Sequence, residues 1–214
     1  NNTSDSWGEE TSAATDEATD SVVFTNAAGT SYLVFACYDA ANSGYIYSTN
    51  GSSWTRDPQA TQFLTVWDER LWGISHTGQL WHASTIGTEV LDAMLPLPDG
   101  YVTALFVARN AAGVPIIYAS TLEGLYAHDA DNAMWVETQM KFPRHPENGK
   151  GTIRWRDSVY IPAGMGLYKY INGGNSAVVT VVGPDRDDGL PSDKRGSIRV
   201  TTGSHNELLV GVDA

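Results

Sequence analysis

One motif recurs four times along this chain. Gly44-Tyr45-Ile46-Tyr47, Gly78-Gln79-Leu80-Trp81, Gly124-Leu125-Tyr126 and Gly166-Leu167-Tyr168 each set a glycine ahead of a short apolar run ending in an aromatic ring. The glycines lie 34, 46 and 42 residues apart, bracketing the ~40–50 residues of a four-stranded propeller blade. A unit this short cannot bury its own apolar surface, so it has to stack on copies of itself. The expected fold class is therefore all-β: a β-propeller of four-stranded antiparallel blades, about four complete and one partial.

The strand count within each unit agrees. Two apolar segments precede each glycine: Val22 to Thr25 and Tyr32 to Tyr38, Phe63 to Trp67 and Leu71 to Ile74, Val102 to Val107 and Val114 to Ser120, Thr152 to Trp155 and Ser158 to Pro162. The aromatic segment follows as a third strand, and Trp54 and Trp135 mark a fourth, outer one. Asn26-Ala27-Ala28-Gly29, Asn110-Ala111-Ala112-Gly113 and Asn172-Gly173-Gly174 supply turn residues that tolerate positive φ. Aromatics (7 Trp, 10 Tyr, 5 Phe) with 21 Gly and 9 Pro suit short strands and tight turns. The blades are expected over roughly 21–58, 61–98, 100–143 and 148–185. Each motif glycine is placed at the hairpin before the third strand, and Tyr47, Trp81, Tyr126 and Tyr168 are placed in the gaps between blades.

Residues 195–214 read as the first two strands of a fifth unit, Gly196 to Val200 and Glu207 to Val212. An open sheet there exposes adhesive edges. Either the strand near Val22 completes it as a ring clasp, or the chain is part of a longer propeller, the reading favoured here. The start, Asn1-Asn2-Thr3 without Met, reads as processed or partial.

The formal charge is −12, and half of it lies in residues 1–20, where Asp5, Glu9, Glu10, Asp16, Glu17 and Asp20 face no Lys or Arg. Few apolar residues accompany them, so 1–20 reads as an acidic polar tail or linker, with an amphipathic helix the competing reading. A nucleic-acid partner requires a basic footprint, which neither the total charge nor its distribution offers. No apolar run approaches the ~18–20 residues that span a bilayer, so no membrane partner is expected. Cys37 is the single cysteine and leaves no internal disulfide or CxxC site.

Candidate chemistry is sparse. His76, His82, His128, His145 and His205 fall in different units without a dense zinc spacing, and read as surface histidines. No G-x-S-x-G elbow or P-loop occurs. Asp185-Arg186-Asp187-Asp188-Gly189 lacks the alternation and the twelfth-position Glu of a calcium loop, where Gly196 stands, and reads as a solvated turn. No catalytic residue, metal or cofactor is expected. Asn50-Gly51-Ser52, Asn1-Asn2-Thr3 and Asn2-Thr3-Ser4 match the glycosylation acceptor. The segment from Lys141 to Asp157 is locally basic, with Lys141, Arg144, His145, Lys150 and Arg154 on or beside a long inter-blade loop. One reading has these charges balance neighbouring acids. The other makes the loop a docking surface for an acidic partner or for the tail of another copy.

Two resemblances bear on function. Ser48-Thr49-Asn50-Gly51-Ser52-Ser53-Trp54 resembles the Asp-box of sialidases and related propellers, S-x-D-x-G-x-T-W, one residue shorter and with Asn for Asp. In that family the box is a structural hairpin, so the resemblance implies fold and not catalysis. Sialidase activity implies an arginine triad and an early Arg-Ile-Pro, which is missing here, and only Arg56 and Arg70 precede Arg109. Gly183-Pro184-Asp185-Arg186-Asp187-Asp188-Gly189-Leu190-Pro191, followed by Gly196-Ser197-Ile198 and Leu208-Leu209-Val210, resembles the inter-blade linker of propeller-like proteins from tailed-bacteriophage structural regions. That implies a virion or extracellular component: a non-enzymatic tail, fibre or capsid-decorating module for assembly or host attachment. Its expected partners are other virion or assembly proteins, copies of itself, or a host glycan. The alternatives are a lectin or glycosidase whose Trp72, Trp81 or Tyr126 stacks on sugars at the ring mouth, and the sensor propeller of a bacterial surface receptor.

Overall fold

The computed structural model describes residues 17–38, 44–98, 100–110, 112–156, 158–164, 166–173, 176–181, 198–204 and 207–212. All regular structure among them is β. Blade 1 comprises β1 (Ala18–Thr25), β2 (Ser31–Cys37), β3 (Gly44–Ser48) and β4 (Thr55–Asp57). Blade 2 comprises β5 (Phe63–Trp67), β6 (Arg70–Ile74), β7 (Leu80–Ala83) and β8 (Val90–Leu91). Blade 3 holds β9 (Val102–Arg109), β10 (Pro115–Thr121), β11 (Gly124–Asp129) and β12 (Met134–Lys141). Blade 4 holds β13 (Ile153–Trp155), β14 (Ser158–Ala163), β15 (Gly166–Gly173) and β16 (Ser176–Val181). Each is a four-stranded antiparallel sheet with its strands paired in chain order, and β17 (Ile198–Gly203) with β18 (Leu208–Val212) forms a partial fifth. Together they make a β-propeller of four complete blades and a fragment of another.

Alternation within each strand explains the stacking. Successive side chains leave a sheet on opposite faces, so one blade feeds two seams. In blade 2, Leu64, Leu71 and Trp81 pack with Phe24, Val34 and Tyr45 of blade 1. From the other face, Phe63, Trp72 and Leu80 pack with Val102, Leu105 and Ile117 of blade 3. Blade 3 in turn sends Phe106, Tyr118 and Leu125 against Val159, Ile161 and Tyr170 of blade 4. Tyr160 and Leu167 then meet Ile198 of the fifth sheet. Four apolar clusters thus fill four successive seams. In the first, Trp81, fully buried, stacks on Tyr45 with centroids 5.5 Å apart and planes at 20°.

Turn chemistry follows the sequence closely. Asn26 and Asn110 each close a first hairpin in the same way. The Asn26 Oδ1 accepts the N–H groups of Ala28 and Thr30 at 3.1 and 2.9 Å, and the Asn110 Oδ1 those of Ala112 and Val114 at 3.0 Å each. Gly29 and Gly113 take φ of 82° and 78°. In blade 2 the same corner is a two-residue turn with Asp68 and Glu69 at φ of 51° and 57°, the twist-matched form for tight hairpins.

Several sequence expectations shift. β1 starts at Ala18, so the last residues of the segment read as a tail belong to blade 1. β1 pairs with β2 along its length, and β18 pairs with β17 alone among the described residues, so the clasp reading is overturned. Gly44, Gly124 and Gly166 open the third strand of their blades, whereas Gly78 lies inside the preceding turn with φ of 76°. The linker-like segment 183–191, the calcium-like loop and His205 lie outside the described residues.

Candidate functional site

Trp81, Tyr126 and Tyr168 all face the preceding blade, packing into the first, second and third seams respectively. Tyr47 packs toward the following blade instead. By strand alternation, Ile46 is the residue of blade 1 that faces backward, one position earlier. Among the described residues no blade packs before blade 1: its backward face leaves Val23 67% exposed, and Phe35 meets Trp54 there, edge-on at 5.4 Å. The fifth sheet mirrors this. Ile198, Leu208, Val210 and Val212 pack on blade 4, while Val200 and Leu209 point away, 54% and 55% exposed. Both ends of the described blade stack therefore present apolar side chains to solvent.

The sugar-stacking roles considered for Trp72 and Trp81 are overturned, since both rings are buried between blades. Tyr126 is half-buried against the second seam, edge-on to Tyr101 at 6.3 Å.

A second feature lies on the axis, where the inner strands begin. A pocket of about 260 Å³ is lined by residues of blades 1, 2 and 3 and of the segment leading into blade 4, including Thr19, Asp20, Leu64, Leu105, Lys150 and Gly151. Two side chains from β1 cross to blade 2 here. Thr19 donates its hydroxyl to the Gln62 carbonyl at 2.6 Å, and the Asp20 Oδ2 accepts the Leu64 N–H at 2.9 Å. Its Oδ1 accepts the Ser21 N–H at 2.8 Å. Burial pushes the Asp20 carboxyl above the usual carboxylate range, against the lowering pull of these N–H groups and of Lys150. Sequence reading missed both residues, because nothing separates Asp20 from the other acids of the first twenty.

The basic segment resolves into local ion pairs. Lys141 pairs with Glu137, Arg144 with Glu123, and Lys150 Nζ with Glu147 Oε1 at 3.1 Å. The His145 Nδ1 accepts the Glu147 N–H at 3.1 Å, and Arg154 is exposed on β13. The loop is anchored by a residue that the sequence did not flag. Asn148, fully buried, donates to the carbonyls of Thr121, Leu122 and Pro143 and accepts the Gly164 N–H at 3.0 Å, tying blade 3 to blade 4.

At the second seam, His128 is 5% exposed between Trp72 and Trp135, with its Nε2 3.8 Å from the Asp92 Oδ2. It is an interior histidine, not the surface one expected. Burial holds it below the usual histidine range, outweighing the raising effect of Asp92 and Asp129. Among the described residues, no group of three or more His, Cys, Asp or Glu is gathered as a metal would need.

No family model matches the chain, and no curated protein matches it. Among solved structures it is similar to the computationally designed Ika8 protein, with a TM-score of 0.56 and 14% identity. The match covers 91% of this chain and 55% of that one. A likeness at this identity concerns the fold alone.

Proposed function

We propose that this propeller is a non-enzymatic structural or adhesion module, a part of a virion or other extracellular assembly, that works through protein contact at its two open blade faces. The observation that carries this reading is the exposure of Val23, Val200 and Leu209 on the two outermost blade faces among the described residues, while the opposite face of each of those sheets is packed into a seam. Uncovered apolar surface of this kind marks an interaction site in a folded protein. The ion-paired loop supports the same view: exposed pairs worth ~0–1 kcal/mol each can exchange partners at little cost. The turn at Ser48–Trp54 supports a scaffold role for the Asp-box-like segment. The Asn50 Oδ1 accepts the N–H groups of Ser52 and Ser53 at 2.9 and 3.0 Å, and so holds the hairpin itself.

Light scattering over a concentration series, with the wild type and a Val23→Glu/Leu209→Glu variant, tests the reading. Association by the wild type that the variant loses is expected. A wild type that stays monomeric and captures no co-purifying assembly component, or that hydrolyses glycosides, would overturn it.

A further inference from the structure

The axial pocket stands apart from the open faces and does not depend on the assembly reading. We propose that it binds a small primary amine, with the ammonium group held by Asp20. The polar groups facing the pocket favour a donor-only ligand. Each Asp20 oxygen accepts one backbone N–H, and an ionised carboxylate offers about four lone-pair sites in all, so capacity remains on both. Leu64 lies on the edge of β5 that no strand covers, as its N–H bond to Asp20 shows. A strand residue turns its carbonyl to the same side as its N–H, which adds an acceptor beside the carboxylate. An ammonium brings three donors and no acceptor to such a set.

Charge points the same way. Lys150 reaches the pocket but is bonded to Glu147, so Asp20, Lys150 and Glu147 together carry one negative charge, in a chain whose total is −12. A cation is drawn toward such a mouth. Much of the remaining lining is carbon, from Phe63, Leu64, Ala104, Leu105 and Phe106. The volume of about 260 Å³ holds roughly eight waters at ~30 Å³ each, room for an ammonium and a short alkyl chain.

Calorimetric titration in amine-free buffer tests this, with n-butylamine as probe and n-butanol as its uncharged counterpart. Saturable 1:1 binding of the amine is expected, with none by the alcohol. Asp20→Asn should weaken amine binding by roughly tenfold or more, the usual effect of losing a charged hydrogen-bond partner. Because the carboxamide surrenders one backbone acceptor and can compromise folding, the wild type is also titrated between about pH 4 and about pH 8. The probe remains an ammonium throughout, and its affinity should rise as Asp20 ionises, with Lys150 and Glu147 the other charged groups nearby. No saturable amine binding, equal binding of the alcohol, a folded Asp20→Asn variant of unchanged affinity, or a flat pH profile in the wild type would each overturn the proposal.

Discussion

Val22 and Val23 are neighbours on one strand with opposite fates. Val22 packs into the seam between blades 1 and 2, and Val23, on the other face, is 67% exposed. The two differ only in whether a second sheet lies against them. A blade in this fold has no inside of its own; its interior is created by the next blade. Stability should therefore concentrate at the seams and fade toward the two outer faces.

Substitutions can test that gradient. The largest loss is expected for Trp81→Ala, about 3–5 kcal/mol for a fully buried aromatic, read by chemical denaturation, with Val23→Ala within about 0.5 kcal/mol of wild type. A comparable penalty for both would break the contrast. Asn148→Ala should cost about 3 kcal/mol, because it strips one buried and two part-buried carbonyls of their donor at once and leaves the Gly164 N–H without its acceptor. Gly73→Ala comes next at about 1–3 kcal/mol. A methyl there would lie 2.3 Å from the Trp81 ring, and the penalty should shrink when Trp81 is also reduced to Ala, a coupling that a double-mutant cycle measures.

A smaller effect is expected from pH. The folded protein holds His128 below its unfolded value, so the unfolded chain takes up the proton first. Stability from this residue is present above about pH 6.5 and is lost as pH falls toward the folded value. Thermal melts of wild type and His128→Gln should converge on acidification, and parallel curves would show that His128 contributes nothing. Smallest of all, removing the exposed Lys141–Glu137 pair should change stability by at most about 0.5 kcal/mol.

The parts legible in the sequence are those set by local backbone chemistry. Identical Asn-Ala-Ala-Gly segments make the same turn twice, and glycine spacing reveals the blade length, because both depend on a few adjacent residues. What stayed hidden depends on partners distant in the chain. Asp20 matters because Leu64 of the next blade meets it, His128 because Asp92 does, and Asn148 because three carbonyls converge on it; no nearby residue signals any of these. Tyr47 does fill a gap between blades, as expected, but the side it faces was not legible. One residue of offset within a strand reverses the face, and a glycine-to-aromatic spacing that varies between two and three does not fix that parity.

The first hairpins hold one more consequence. Blades 1 and 3 close theirs with Asn26 and Asn110, 84 residues apart, while blades 2 and 4 turn tightly after Trp67 and Trp155, 88 residues apart. The corners alternate, odd with odd and even with even. In hairpin chemistry the repeat therefore spans two blades, 84 to 88 residues, rather than one.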